Sequence, residues 1–390
     1  MLDLTPVKPA LDKLQAVERD LQLALVERDD PAHAAVLSLL TRDHLALLGM
    51  PGTAKSMLIN ELARRVSTNG DGLSTFVYLL TKFTTPEELF GPISIEGLKR
   101  GEYRRITKGK VPECELVFLD ETFKASSAIL NALLRGMNER LFENGPGTIK
   151  MPLISLFGAS NEMPEGKDLD AMWDRFLIRL NVEYVSDSNF TKLLQMVAAA
   201  AAALPPQTIT RAELETLQAV VPQVEVPSST IAMVEQLRRE LKAKGVIISD
   251  RRWGWSVNAL KGQALLDGRA AVNEDDLAVL KHTLWTQPEQ ITEIGKIVAR
   301  LGNPLNARAV ELGDMASDIY HNAMSAQANG GSDTDKMNAA IEAVAKLKRV
   351  KTDLTNLLEQ ARAQGRATGK IENVPAGLTE QHTEIAKLVL

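Results

Sequence analysis

The sequence predicts an α/β fold in which a parallel sheet carries helices on both faces, followed by a region made only of helices. Three observations carry this reading. Short apolar runs alternate with stretches of helical periodicity up to about residue 185. The first run, Leu45 to Leu48, passes through Gly49-Met50-Pro51-Gly52-Thr53-Ala54 into a helix opening on Lys55-Ser56-Met57. A strand, a glycine-containing loop and a helix starting on Lys-Ser form the pattern of a phosphate-binding loop. After residue 187 the strand-like runs stop.

The elements follow in order. Residues 9 to 28 have a helical stripe through Leu11, Leu14, Val17, Leu21 and Leu25. A second helix is expected over 31 to 40, with Asp30 as its cap and Pro31 in its first turn. The helix after Lys55 is expected to stop near Asn69-Gly70, and 75 to 80 reads as the second strand. Thr85-Pro86-Glu87-Glu88 opens a short helix with a capping box. Residues 90 to 112 carry four glycines and short alternating stretches, so a β-hairpin or loop inserted into the α/β pattern is expected. This insert is basic, with Lys99, Arg100, Arg104, Arg105, Lys108 and Lys110. It is either a solvated face or a surface for an acidic partner. Leu116 to Leu119 is a third strand ending in Asp120-Glu121, and a helix follows over 126 to 138. Asn144-Gly145-Pro146-Gly147 marks a turn, 154 to 159 a fourth strand ending at Ser160-Asn161, and 177 to 182 a fifth.

Beyond Pro205-Pro206 four helices are expected, over 210 to 220, 227 to 244, 250 to 266 and 274 to 284. Polar helices over 289 to 300 and 307 to 326 come next, then a turn at 329 to 333. A long amphipathic helix over 335 to 362 carries Ile341, Val344, Leu347, Val350, Leu354 and Leu358 on one stripe. The expected domains are 1–186, 187–288 and 289–390.

Composition narrows the function. The 390 residues are 45% apolar and 24% charged, ordinary for globular chains. A net charge of −5 and 4% aromatic residues argue against a nucleic-acid binder, which is usually basic and offers stacking platforms. The single cysteine, Cys114, has no internal partner and suits a reducing compartment. Asp3 and Lys8 break any secretory signal, and no apolar run approaches membrane-spanning length. A cytoplasmic protein without membrane insertion is expected.

The candidate chemistry centres on the loop. Backbone N–H groups of Gly49 to Ser56 and of the helix N-terminus would point at bound phosphate, Lys55 would add charge at the outer phosphates, and the Ser56 hydroxyl would ligate Mg²⁺. The usual pattern has glycine before the lysine. Ala54 stands there, and its methyl is tolerable only if φ at that position is negative. Asp120 would hold Mg²⁺ through water, and Glu121 would polarise the attacking water. Asn161 would orient that water if its strand lies between the two motif strands. Arg175 and Arg179, and Arg251 and Arg252, are candidates for stabilising phosphate charge, Arg175 across a subunit interface.

Gly49–Ser56, Phe118-Leu119-Asp120-Glu121, Gly158 to Glu162, Asp174-Arg175-Phe176 and Ser249 to Trp253 resemble, in order, the motifs of MoxR-type AAA+ ATPases, most closely the RavA-like branch. Residues 87 to 112 are similar to that family's helix-2 insert, and 253 to 285 to its lid. The resemblance implies a P-loop AAA+ αβα core, an all-helical lid and a helical C-terminal extension. It implies ATP with Mg²⁺, Lys55 and Ser56 as the Walker A pair, and Asp120 and Glu121 as the Walker B pair. It implies Asn161 as sensor 1, Arg175 as a trans-acting finger, Arg251 as sensor 2, and Glu27-Arg28 lining the adenine pocket. RavA-like proteins carry a small β-rich module in their C-terminal extension, and residues 289 to 390 show none. The resemblance further implies a homo-oligomer, a hexameric ring, that remodels a protein client beside a von Willebrand factor type A partner. A nucleic-acid motor and a nucleotide-dependent assembly scaffold are the alternatives.

Overall fold

The computed structural model describes all residues except 1, 69–70, 165, 199–205, 329–332, 364–370, 373–384 and 386–390. The helix after Lys55 stops at Arg64, short of the expected stop near Asn69-Gly70, because Val66–Thr68 leave it to pair with Ile209–Thr210 as a short strand. Asn69-Gly70 themselves, Pro205 of the Pro-Pro break and most of the 329–333 turn lie outside the described residues.

The chain opens with α1 (Lys8–Ala24), α2 (Asp29–Thr41), β1 (Leu45–Leu48) and α3 (Lys55–Arg64). Short strands β2 (Val66–Thr68) and β3 (Asp71–Gly72) precede β4 (Thr75–Leu79), α4 (Pro86–Phe90) and α5 (Ile95–Lys99). Then come β5 (Leu116–Asp120), α6 (Ser127–Glu139), β6 (Leu141–Asn144), β7 (Gly147–Lys150), β8 (Ser155–Ser160), α7 (Lys167–Arg175) and β9 (Ile178–Asn181). The remainder is α8 (Asp187–Ala198), β10 (Ile209–Thr210), α9 (Arg211–Val220), α10 (Ser228–Ala243), α11 (Asp250–Leu266), α12 (Gln290–Gly302), α13 (Pro304–Ala328) and α14 (Asp333–Ala363). Two compact units emerge: residues 1–228, 245–273 and 279–291, and residues 229–244, 274–278 and 292–390.

The first unit is built on a five-stranded sheet in the order β4-β5-β8-β1-β9, every neighbouring pair parallel. A parallel sheet must be covered on both faces, and its inner strands read as unbroken apolar runs for that reason. All of β1 and β8 is buried. The edge strand β4 instead leaves Val77 and Leu79 exposed. Helix α6 closes one side by burying Ile129, Leu130, Leu133 and Met137, each worth about 1.5–3 kcal/mol when taken fully from water. Helix α2 is buried from Pro31 to Thr41 except for His33, and α11 crosses it closely. A Cβ at Gly262 would lie 2.2 Å from the Thr41 methyl, so that approach needs glycine.

Two further local expectations change. Helix α2 starts at Asp29, not after an Asp30 cap, because the Asp30 carboxylate is taken by Lys281 Nζ at 2.8 Å. Both acids then sit in the first turn, where the helix dipole favours them. The insert is not a plain hairpin. An antiparallel bridge, Ile93 with Arg105, carries the short helix α5 capped by Ser94. The β6–β7 hairpin, turning at Asn144 to Gly147 as its residues require, grips the insert: Asn144 Oδ1 accepts from the Arg105 N–H at 2.6 Å, and Asn144 Nδ2 donates to the Arg105 carbonyl at 3.0 Å.

The second unit is helical in its described residues. Its α13 and α14 share a core of small and branched residues, Ala309, Leu312, Ala316, Leu347, Val350 and Leu354 among them. The stripe of α14 is buried at Leu347, Val350 and Leu354, while Ile341 stays 47% exposed.

Candidate functional site

The strand order settles where the motif residues meet. β8 lies between β1 and β5, pairing Leu48 with Ser160 and Leu119 with Gly158. The loop after β1, the acidic pair ending β5 and Asn161 after β8 therefore leave the same edge of the sheet, at the strand C-termini, where open α/β sheets bind ligands.

The loop is anchored at both ends. The Gly49 N–H donates to the Ser160 carbonyl at 3.0 Å. Gly49 has φ +151°, and a Cβ there would lie 2.1 Å from the Val182 carbonyl oxygen. Arg28, 6% exposed, holds the other end: its guanidinium donates to the carbonyls of Thr53 at 3.0 Å, Glu27 at 2.7 Å and Glu183 at 2.8 Å. The Tyr184 hydroxyl donates to the Pro51 carbonyl at 3.3 Å. Ala54 departs from expectation. Its φ is +65° and ψ +21°, a left-handed conformation that glycine adopts freely and alanine only under strain. The loop imposes this geometry because Lys55 must start α3 immediately afterwards.

Lys55 is folded back on its own loop, donating to the carbonyls of Gly49 at 2.6 Å and Met50 at 2.9 Å and to Thr53 Oγ1 at 3.3 Å. Burial holds its ammonium below the ordinary lysine range, while the charges of Asp120 and Glu121 pull it back up. Both carboxylates thus act electrostatically on Lys55.

Glu121 also sits in a left-handed turn, φ +52°, with its N–H donating to Asp120 Oδ1 at 3.0 Å. The turn directs the two carboxylates differently. Lys124 Nζ stands 3.1 Å from Glu121 Oε2, in ion-pair range but outside hydrogen-bond alignment. Among the described residues, five buried side-chain polar atoms lack a hydrogen-bond partner, and three of them belong to the motifs: Glu121 Oε2, Asn161 Oδ1 and Arg175 Nε. Buried polar groups are nearly always paired, so these three atoms are candidates for further partners.

The four candidate arginines separate into two kinds. Arg179 and Arg252 are each 1% exposed, with their guanidinium groups spent on backbone carbonyls. Arg175 and Arg251 instead approach one indole, with Cζ atoms 5.7 and 5.8 Å from the Trp255 ring centroid. Burial, then the like charge of Arg251, hold the Arg175 guanidinium below its ordinary range. Glu27 lies off the loop, its carboxylate accepting from the Ser186 hydroxyl and, each at 2.6 Å, from the Ser186 N–H and Asn189 Nδ2, and these bonds, the hydroxyl's first, hold it below the usual carboxylate range.

The donor set suits Mg²⁺. A hydroxyl at Ser56 and a carboxylate at Asp120 are hard oxygen ligands, and among the described residues no group of three or more His, Cys, Asp or Glu side chains forms a dedicated metal cage. Mg²⁺ takes few protein ligands and fills its octahedron with water and phosphate. Reading the sequence missed Lys124, Tyr184 and Trp255. The i,i+3 spacing of Glu121 and Lys124 was the one signal that pointed to any of them.

Residues 12–219 match the family described as the MoxR domain of MoxR-vWA-beta-propeller ternary systems, and residues 229–298 match an AAA lid domain. An uncharacterized protein of Methanocaldococcus jannaschii is 34% identical over 367 residues, covering 93% of this chain and 94% of that protein. A second from the same organism is 37% identical over 311 residues, covering 79% and 81%. The chaperone MoxR1 of Mycobacterium tuberculosis is 26% identical over 187 residues, 47% of this chain and 46% of that one. A solved structure described as a putative ATPase from Cytophaga hutchinsonii superposes with a TM-score of 0.57 at 18% identity, covering 74% of this chain and 86% of that one. No helix among the described residues is long and apolar enough to cross a membrane.

Proposed function

The chain belongs to the MoxR-type AAA+ ATPases, and on that premise we propose that it hydrolyses ATP with Mg²⁺ as a ring of copies and uses the cycle to remodel or mature a protein client. The observation that carries this is the insertion of β8 between β1 and β5, which brings Lys55, Asp120, Glu121 and Asn161 to one sheet edge. On ATP binding, Lys55 exchanges its loop carbonyls for the outer phosphates. Ser56, and Asp120 through water, would hold Mg²⁺, which would supply positive charge to neutralise the phosphates. Glu121 takes the proton of the attacking water, and the Asn161 amide orients it. Glu27 and Arg28 frame the adenine side, Arg28 by holding the loop rather than by facing the base.

Arg175 and Arg251 share one indole, so they serve one phosphate chain. We assign them to that of a neighbouring copy, which makes each site incomplete without its neighbour. A hexamer, cytoplasmic location, placement near the RavA-like branch and a von Willebrand factor type A partner belong to the same reading, as do the domains 1–186, 187–288 and 289–390. The partner is supported by the ternary systems in which the matched MoxR domain is described.

The insert favours a protein client over nucleic acid. Arg104, Arg105 and Lys110 are engaged within it or by α4, through Glu102, Glu87 and the Glu88 carbonyl. Between the cations it exposes Ile95, Leu98, Tyr103 and Ile106, each more than half exposed. An apolar surface rimmed by charge fits a protein better than a phosphate backbone.

The test is a pair of variants. Lys55→Ala should lose nucleotide binding, whereas Glu121→Gln should bind ATP and lose about 10²-fold or more in turnover. Arg175→Ala should recover activity when mixed with Glu121→Gln subunits. Normal turnover by Glu121→Gln would sink the mechanism, and ATP-dependent assembly without measurable turnover in the unaltered chain would favour a scaffold. DNA-stimulated, salt-sensitive turnover would favour the nucleic-acid motor.

A further inference from the structure

Arg179 and Arg252 are arginines that the reaction, as read above, does not use, yet the fold buries both. Burying a guanidinium costs several kcal/mol unless its donors are satisfied. Here carbonyls do most of that work. Arg252 donates to the carbonyls of Thr283, Phe176 at 2.9 Å, Leu177 at 2.6 Å and Asp174 at 3.3 Å, with Asp174 Oδ1 at 3.7 Å. Arg179 donates to the carbonyls of Trp173 at 2.6 Å, Phe176 at 2.9 Å and Trp285 at 2.5 Å, and its guanidinium lies 4.1 Å from the Trp173 ring centroid.

These contacts converge on one turn. Residues 173 to 177 link the end of α7 to β9, and Arg175 is in their middle. Arg252 sits in the first turn of α11, next to Arg251 and one helical turn before Trp255. Trp285 completes the frame. Its Nε1 donates to the Arg179 carbonyl at 3.2 Å, and its ring meets Trp173 edge-on at 5.5 Å between centroids. Trp173 Nε1 in turn donates to the Thr286 carbonyl at 3.1 Å. Arg252 therefore ties the turn carrying Arg175 to the helix carrying Arg251, and Arg179, from β9, ties the same turn to Trp285.

We propose that Arg252, seconded by Arg179, is a positioning residue for the arginine pair: it fixes the Arg175 turn to the start of α11, so that Arg175 and Arg251 reach a neighbouring copy's phosphates as a unit of set spacing. The proposal rests on the trans reading of that pair. It explains why two like charges stay beside Trp255 although they repel. Asp174, 3.5 Å from Arg175 Nη1, offsets part of that repulsion, and the backbone-anchored turn holds the pair there. Arg252 then senses no nucleotide itself. It sets the geometry of the residues that do.

The experiment uses the full chain. Arg252→Lys keeps the charge and the aliphatic stem but replaces a five-donor fork by a three-donor point, and Arg179→Lys does the same on the other side of the turn. Both should lower kcat about tenfold or more through misplacement. KM for ATP and binding of a fluorescent ATP analogue should stay within about twofold. Adding Glu121→Gln subunits, whose arginines are intact, should restore turnover to both, as it does for Arg175→Ala. The chain's four tryptophans, 173, 253, 255 and 285, all lie in the turn, in α11 or in the frame, so emission should shift in the lysine variants without nucleotide. Suppose Arg175→Ala is rescued but Arg252→Lys is not, and its ATP binding is weakened. Arg252 then touches its own nucleotide, and the proposal falls while the trans reading stands. Rescue of neither overturns the trans reading and the proposal with it. Unchanged turnover in both lysine variants overturns the proposal alone. Should Arg252→Lys fail to fold, Arg179→Lys and Asp174→Asn decide by the same criteria, since Asp174 is one-third exposed.

Discussion

Ala54 gives the sharpest test of the loop's geometry. The substitution is Ala54→Gly, in the protein without nucleotide. A non-glycine residue held at φ +65°, ψ +21° carries about 1–2 kcal/mol of strain, which glycine removes. Against this, glycine adds unfolded-chain entropy of about 0.4–1 kcal/mol. The methyl of Ala54 is only partly buried, so its loss costs a few tenths more, from about 0.8 kcal/mol for full burial. The balance is a gain of up to about 1 kcal/mol, or close to zero at worst. At a position with negative φ the same change would cost about 0.5–1 kcal/mol. Ala16, half-buried within α1, supplies that control. All four tryptophans belong to the unit that contains the loop, so thermal unfolding followed by tryptophan emission reports on this unit. Ala54→Gly should leave Tm unchanged or raise it by about 2 °C, and Ala16→Gly should lower it by about the same amount. Equal losses in the two variants would refute the left-handed assignment.

Other outcomes follow from the same geometry. Lys124→Ala removes a partly exposed cation beside Glu121, a pair worth about 0.2–1 kcal/mol, so kcat should rise by no more than about fivefold. A tenfold fall in stopped assays would instead make Lys124 part of the reacting site. Burial pushes the Asp43 carboxyl up to about 6, against its hydrogen bonds from Thr41 and Asn258. Because the folded value lies above the unfolded one, Asp43 favours the folded state most at acid pH, and that contribution is lost as pH rises towards and through 6. Asp43→Asn should therefore gain about 1–3 kcal/mol relative to the unaltered chain between pH 4 and pH 7, read from urea unfolding at a series of pH values. A difference between the two proteins that does not change with pH would refute the assignment.

The layers of the fold were legible because covered parallel strands and amphipathic helices leave different periods in a sequence. Leu45 to Leu48, Leu116 to Leu119 and Ile154 to Ala159 read as strands, and all are buried. Lys55, Asp120 and Glu121 were legible by their places at strand and helix ends. Backbone handedness was not. Nothing in an alanine or a glutamate announces φ +65° or +52°, since tertiary closure of the loop imposes both. Nor did sequence separate Arg175 from Arg179 or Arg251 from Arg252. Neighbours in a chain have equal chemistry, and only the positions of surrounding carbonyls divide them. The insert was legible only in part for a related reason: the alternation that predicts a hairpin or loop is real, as the Ile93 and Arg105 bridge shows, but a five-residue helix is too short to leave a period.

The hydrogen bonds of the loop also bear on how the site opens to ATP. Lys55 spends its donors on the Gly49 and Met50 carbonyls, so binding must exchange those bonds for phosphate. Each charge-assisted bond is worth about 1.5–3 kcal/mol, and a lysine released from two of them leaves the Thr53 hydroxyl, donating to the Met50 carbonyl at 2.9 Å, as the loop's internal side-chain tie. A loop held by Lys55 alone would slacken at the moment it needed to be rigid. Arg28 removes that difficulty. It grips the Thr53 carbonyl from outside the loop and is anchored at Glu183, beyond β9, so its hold does not depend on where Lys55 points. Gly49, tied to Ser160, does the same at the other end. The loop can hand its lysine to the nucleotide because two contacts that ATP does not displace already define its shape. On the proposed function, that division of labour places Arg28 on the loop's framework and assigns phosphate recognition to Lys55 and the N–H groups of α3.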